Sequence, residues 1–279
     1  LSEKAMLAAA STAATIASGS GQKPAAKFVP LKTKNYYPVT TLLSSVPLES
    51  KLPLVQSLNE KCFSLSSLVR KVMVVFHDQE RRILVVTSDG VKAEDLQPRS
   101  YLSSSVVAEK NGRWERSGWN FGGRREFSYY TPALVEELAR RAVDRALVLF
   151  EAIQPPAGEM PVVLGPGVTG VLLHEAIGHG MEADFNRKKI STYCTMLGKK
   201  VAEPFVTIID DGTVPYLTGS INFDDEGTPA QKTILVDEGI LTSYLHDRIS
   251  ARSYGVKSTG SGRRQSYQHY PIPRMRNTY

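Results

Sequence analysis

The sequence predicts an α+β protein. A mixed α/β N-terminal domain over residues 1–156 precedes a mostly β domain over residues 157–279, which carries a helix with two histidines. Three observations lead there. A chain of 279 residues with 42% hydrophobic content can bury two sizeable cores. Its hydrophobic period is helical early, shortens to strand-like alternation near Lys71, and returns to a helical period at Thr131. The run Gln154-Pro155-Pro156-Ala157-Gly158 then interrupts every pattern and reads as a linker.

The elements follow in order. Leu1 to Ser18 has helical composition and is expected to stop at the Gly- and Pro-containing run Gly19–Pro24. Pro47 to Leu65 repeats apolar residues at Leu48, Leu52, Val55, Leu58 and Cys62, with Pro53 still in the first turns. Lys71–Phe76 and Ile83–Thr87 are β-branched runs, expected to form a hairpin across the charged His77–Arg82 stretch. A second hairpin joins Ser100–Glu109 to Arg113–Trp119 through Asn111-Gly112, residues that accept positive φ. Thr131 caps the clearest helix, with Pro132 at its first position and Leu134, Leu138, Val143, Ala146, Leu147 and Phe150 on one face. Beyond the linker come a short strand at Met160–Leu164, a Gly-rich turn, and the histidine helix. Strands at 205–209, 231–237 and 240–246 follow, the last two joined at Asp237-Glu238-Gly239. The final thirty residues show no period and read as a long functional loop or as a chain cut before its partner strand.

Composition narrows the function. No apolar run approaches bilayer length, so no membrane span is expected. Ala5–Ala17 is rich in small residues but studded with Ser and Thr, and reads as a helix entered part-way through a longer protein, not as a targeting segment. Two cysteines, Cys62 and Cys194, make no disulfide framework and suit a reducing, cytoplasmic compartment. The net charge of +6 is carried by residues 251–279, which hold six Lys or Arg and no acid. Those charges are scattered among Gly, Pro and Tyr. That pattern argues for anion contacts inside a site and against a nucleic-acid patch.

The chemistry concentrates in Val171–Arg187, V-L-L-H-E-A-I-G-H-G-M-E-A-D-F-N-R. His174, Glu175 and His179 supply two zinc-type ligands and a carboxylate base. Their spacing is awkward, because residues five apart on a regular α-helix differ by about 140° in direction. A π-bulge, closed by i→i+5 bonds, brings such residues into line, and bulges of this kind gather at functional sites. Gly178 and Gly180 flank the second histidine and would let the backbone distort or a ligand approach. An unpaired Glu175 in an apolar segment would be costly, and a metal-activated water would be its partner. Gly165-x-Gly167-x-x-Gly170 also matches a dinucleotide fingerprint. It lacks the acid at the end of a second strand, and Pro166 removes a donor, so a turn placing the helix start is the better reading.

Five segments carry a family resemblance: Leu172–Arg187, Asp210-Asp211-Gly212-Thr213, Asp224–Pro229, T-G-S-G-R-R-Q-S-Y at Thr259–Tyr267, and P-I-P-R-M-R-N-T-Y at Pro271–Tyr279. In this order and spacing the chain resembles the TldD/PmbA family, more closely its TldD branch, the metallopeptidases with an HExxxH motif. The resemblance implies zinc-dependent peptide hydrolysis, with His174 and His179 as ligands and Glu175 as general base. It implies a third ligand, a cysteine, beyond the Asn277-Thr278-Tyr279 segment, and a chain that starts inside the family's N-terminal domain. Within these residues the site would be empty, or completed by a partner, a buffer ion or a carboxylate such as Asp184. Cys194 reads as an ordinary buried thiol.

The resemblance further implies a dimer, with itself or with a related subunit, acting on flexible or unfolded peptides held extended along a strand edge. Arg263, Arg264 and His269, with Tyr267, are candidates to bind the peptide's carbonyls or carboxylate, or the oxyanion. The alternative is an arginine pair tied to Asp224, Asp225 or Glu226. The Asp210–Thr213 run reads as a turn whose carboxylates could orient a ligand imidazole. His77 and His246 read as surface or packing residues. A non-catalytic subunit of such a dimer is the competing function. Subunits of that kind lack the two histidines that this chain has.

Overall fold

The structure is a computed structural model that describes residues 2–16, 27–167 and 169–279. Helix α1 (Glu3–Ile16) matches expectation, and the Gly19–Pro24 run expected to end it lies outside the described residues. Helix α2 (Leu48–Leu65) holds Pro53 in its second turn. Helix α3 (Pro132–Leu147) is capped by Thr131, whose side chain accepts from the Leu134 N–H. Leu138, Val143 and Ala146 are buried, and so are Val135, Ala139 and Ala142. The chain continues from α3 in a 3-10 turn over Val148–Glu151.

Helices α2 and α3 cover one face of a sheet of β1 (Val29–Pro30), β2 (Val69–Val86), β3 (Val91–Lys110) and β4 (Arg113–Gly123). Strand β3 is central. It pairs antiparallel with β2 on one side and, on the other, with β4 and the parallel stub β1. Strand β2 therefore keeps a free edge. Leu58, Cys62, Leu102, Val106, Leu138 and Ala142 form the core between helices and sheet.

The hairpin expected across His77–Arg82 does not exist, because β2 runs unbroken through that stretch. Its two acids are satisfied from the helix side. Asp78 pairs with Lys51 at 2.5 Å, and Glu80 accepts from the Leu43 N–H at 2.5 Å and the Ser44 hydroxyl at 2.7 Å. The chain reverses instead at Thr87–Gly90, where Gly90 takes φ +92°. The Asn111-Gly112 turn forms as expected, with φ of +53° and +80°.

A second core gathers Met181, Ile208, Leu235, Leu241, Tyr244, Leu245 and Met275. Its strands are short: β5 (Ile208–Asp211), β6 (Lys232–Asp237) and β7 (Ile240–Leu241) form one sheet, and β8 (Gly262–Arg263) with β9 (Ile272–Pro273) another. Met160–Leu164, expected as a strand, has none of that structure, and Val163 is 97% exposed. The last thirty residues are more ordered than their lack of period suggested. Just before them begins helix α6 (Arg248–Tyr254), with an Asp247–Ser250 capping box and Gly255 ending it at φ +67°. A polar network joins the two halves. Asn222 donates to Asp95 at 2.8 Å and accepts from the Tyr36 N–H at 2.9 Å, and Tyr37 donates to Asp95 at 2.5 Å.

The acids at 224–226 anchor the arginine segment through its backbone. Asp224 accepts from the Gly262 N–H at 2.9 Å and Asp225 from the Arg264 N–H at 2.7 Å. Glu226 accepts from the Arg248 N–H at 2.7 Å. Burial pushes the Asp224 carboxyl up to about 6 and the Glu226 carboxyl up to about 7. Each is raised above an unfolded value near 4, so the stability it contributes is complete below about pH 4 and is lost as pH rises through about 6 to 7.

Two outcomes follow. Leu138→Ala, at a site with no exposed surface, lowers unfolding free energy by about 2–5 kcal/mol in chemical denaturation. Glu226→Gln removes part of the decline in melting temperature between pH 5 and pH 8; parallel profiles for the two proteins would contradict the assignment.

Candidate metal site

The histidine segment is not one regular helix. Helix α4 (Gly170–Leu173) passes into a π-helical turn over His174–Gly178, then a 3-10 turn over His179–Met181, and helix α5 (Ala183–Arg187) follows. The wider turn does what the spacing of five requires. The imidazoles of His174 and His179 stand 4.7 Å apart between ring centroids, edge to face. Ligand atoms of His174, Glu175 and His179 all lie within 4.8 Å of one another. Two imidazole nitrogens and a carboxylate oxygen on one side of a chain form a donor set that fits a metal ion.

The glycines act by space and not by torsion. Gly178 sits at φ −58°, open to any residue. A Cβ there would lie 2.0 Å from the Met275 sulfur, and one on Gly180 would lie 2.7 Å from the Tyr193 ring. The turn is thus pressed onto the second core. Backbone bonds hold its end: Ala183 N–H donates to Leu245 and Leu245 N–H to Met181.

Glu182 orients the second imidazole, which the sequence reading missed. It has no exposed surface. Its Oε1 lies 3.1 Å from His179 Nδ1, and its Oε2 accepts from Arg274 at 2.7 Å. A carboxylate there assigns the proton to Nδ1 and leaves Nε2 for a ligand. Burial pushes Glu182 up to about 6, against the pull of Arg274 and His179. The i,i+3 spacing from His179 was the available signal. Arg274 lies 92 residues away in sequence and offered none.

Other expectations change. Glu175 is exposed and has no hydrogen-bond partner among the described residues; it is not the costly carboxylate of an apolar segment that was expected. Asp184 is buried but stands outside the donor group, with Oδ1 unpartnered. Asp210 does not orient a ligand imidazole; it pairs with Arg276 at 2.6 Å and accepts from Thr278 at 2.8 Å. Asp211 accepts from Thr213 within its turn. Cys194 is a partly buried free thiol. His246 is buried against Ser250, and burial pushes its pKa down to about 4.

Arg263 and Arg264 line the same groove of about 450 Å³ as His174, His179 and Glu182. Asp224 and Asp225 accept from the Gly262 and Arg264 N–H groups, and neither guanidinium has an ion-pair partner among the described residues. His269 does not line this groove. It is exposed, with Nδ1 2.8 Å from the Ser266 hydroxyl. Tyr267 lines a neighbouring trough between Arg264–Tyr267 and the β2 residues Gln79–Val86. No helix among the described residues is long and apolar enough to cross a membrane.

Known proteins are similar to this chain in sequence and fold. Residues 42–150 match a family model described as the PmbA/TldA metallopeptidase central domain, and residues 157–279 one described as its C-terminal domain. The chain is 42% identical over 248 residues to the metalloprotease TldD homolog of Haemophilus influenzae, covering 87% of this chain and 52% of that protein. The TldD homolog of Buchnera aphidicola (subsp. Acyrthosiphon pisum) is 43% identical over 238 residues, covering 83% and 49%. The chain spans about half the length of these curated relatives. The crystal structure of TldE from Thermococcus kodakarensis superposes with a TM-score of 0.72 at 17% identity, over 94% of this chain and 59% of that one, a likeness of fold. Two matching domain models and relatives above 40% identity agree: the chain belongs to the PmbA/TldD metallopeptidase family.

Proposed function

We propose that the chain carries the centre of a zinc-dependent peptidase acting on flexible or unfolded peptides. His174 and His179 would hold the ion, and Glu175 would be the base. The observation that carries this reading is the π-turn, which gathers two imidazoles and a carboxylate within 4.8 Å. Zinc, when bound, supplies a Lewis acid for the scissile carbonyl and makes a water more acidic.

The chain's own residues do the rest. Glu182 holds the His179 ring in one tautomer. Glu175, free of partners, takes the proton of the attacking water and passes it to the leaving amine. Arg263 and Arg264 offer unpaired guanidinium N–H groups to the carbonyl oxygen as it gains charge. The peptide lies extended in the trough beside the free edge of β2, where backbone contacts outweigh side-chain ones. The resemblance implies a cysteine as the third ligand. The protein works as a dimer with itself or a related subunit. Its exposed apolar residues Val162, Val163, Val171 and Leu172 and its fold likeness to TldE support that pairing. Two free thiols suit a reducing cytoplasm.

In the full-length protein, Glu175→Gln keeps its metal by elemental analysis and loses turnover by roughly 10²–10⁴-fold. Turnover equal to wild type would remove the mechanism. Glu182→Gln weakens metal binding by about 10–100-fold in a chelator competition, and excess metal restores part of the activity. An unchanged affinity would show that Glu182 does not orient the ligand.

A further inference from the structure

A second cavity, of about 310 Å³, lies between the two halves of the chain. Gln79 and Arg81 on β2 face Arg99 and Gln97 on β3, in the register Gln79↔Arg99 and Arg81↔Gln97. Alternate residues share a sheet face, so the four side chains meet on one surface. Arg124 and Arg263 complete the ring, with Arg276 beneath. Among the described residues, no acid lines the cavity.

The charges are unequally balanced. Arg276 is spent: its guanidinium binds Asp210, the Thr259 and Gly260 carbonyls and Thr233. Arg81, Arg99, Arg124 and Arg263 have no ion-pair partner among the described residues. Arg99 donates Nε to the Tyr101 hydroxyl, and Arg124, only 7% exposed, donates Nε to the Ser220 carbonyl. Arg81 and Arg263 make no side-chain hydrogen bond among the described residues. The nearest acids are occupied. Asp95 is held by Tyr37, Gln97 and Asn222, and Asp225 by the Arg264 N–H. Four guanidiniums crowded around partly desolvated space repel one another, and an anion relieves that cost. Planar forks suit carboxylate geometry.

We infer that this cavity binds a carboxylate of the peptide substrate, its C-terminal group or an acidic side chain. Arg263 lines both this cavity and the groove holding His174 and His179. A carboxylate gripped here would therefore be joined to the scissile bond by a short extended stretch of peptide. The inference rests on the peptidase reading for its ligand and deepens it to an anionic peptide class.

The test uses full-length Glu175→Gln protein and four versions of one peptide: free acid, C-terminal amide, amide with an internal Glu, and the same amide with Gln. Either the free acid over the amide, or Glu over Gln, binds at least about tenfold tighter, and the preferred pair identifies the source of the carboxylate. In Arg81→Gln and Arg99→Gln versions that preference shrinks to within about twofold. Equal binding of all four peptides overturns the inference, as does a preference that survives both substitutions. Wild-type cleavage separates the two claims. Cleavage of all four peptides alike leaves the peptidase and removes the anion site. Selective binding with no cleavage of any peptide leaves the anion site and removes the peptidase.

Discussion

The structure depends on one local constraint, a π-helical turn at His174–Gly178. Without it, two imidazoles five residues apart diverge, and no donor set exists. The turn widens the helix at its functional point and is paid for by its surroundings. Gly178 lets Met275 pack directly on the backbone, and Gly180 does the same for Tyr193. The Leu245 backbone bonds lock the exit of the turn to the second core. Glu182, buried at that exit, translates backbone position into ring orientation through His179. Ring geometry is thus set by packing on the opposite face of the segment.

Charge is arranged by the same logic of selective satisfaction. Asp210 and Arg276 form a pair without exposed side-chain surface, every donor of the arginine engaged, and this pair fastens residues 274–278 to β5. Asp224 and Asp225 accept from backbone N–H groups of the 262–264 segment. Because the backbone satisfies these acids, the guanidiniums of Arg263 and Arg264 stay free to face the groove. Carboxylates that tied down the guanidiniums would have given a stable loop with no electropositive surface.

The legible parts of the sequence were local. Asn111-Gly112 announced its turn, and Thr131-Pro132 its helix start, because each encodes a backbone conformation within a few residues. The histidine spacing pointed to the π-turn for the same reason. What escaped was decided at long range. The His77–Arg82 charges read as a hairpin, yet their partners Lys51, Leu43 and Ser44 arrive from another element and allow the strand to continue. Met160–Leu164 has strand composition but no neighbouring strand to pair with among the described residues. Arg274 and Arg276 reach acids 92 and 66 residues away, separations that no local pattern spans. Glu182 was visible in the sequence, but only its burial shows that it serves His179.

Anomalous diffraction at the zinc edge from crystals of the full-length, metal-loaded protein tests the constraint most directly. The account predicts one peak between the rings of His174 and His179, about 2.0–2.1 Å from a nitrogen of each and on the Nε2 side of His179. A peak elsewhere, or a regular helix with the two rings turned to different faces, would contradict it.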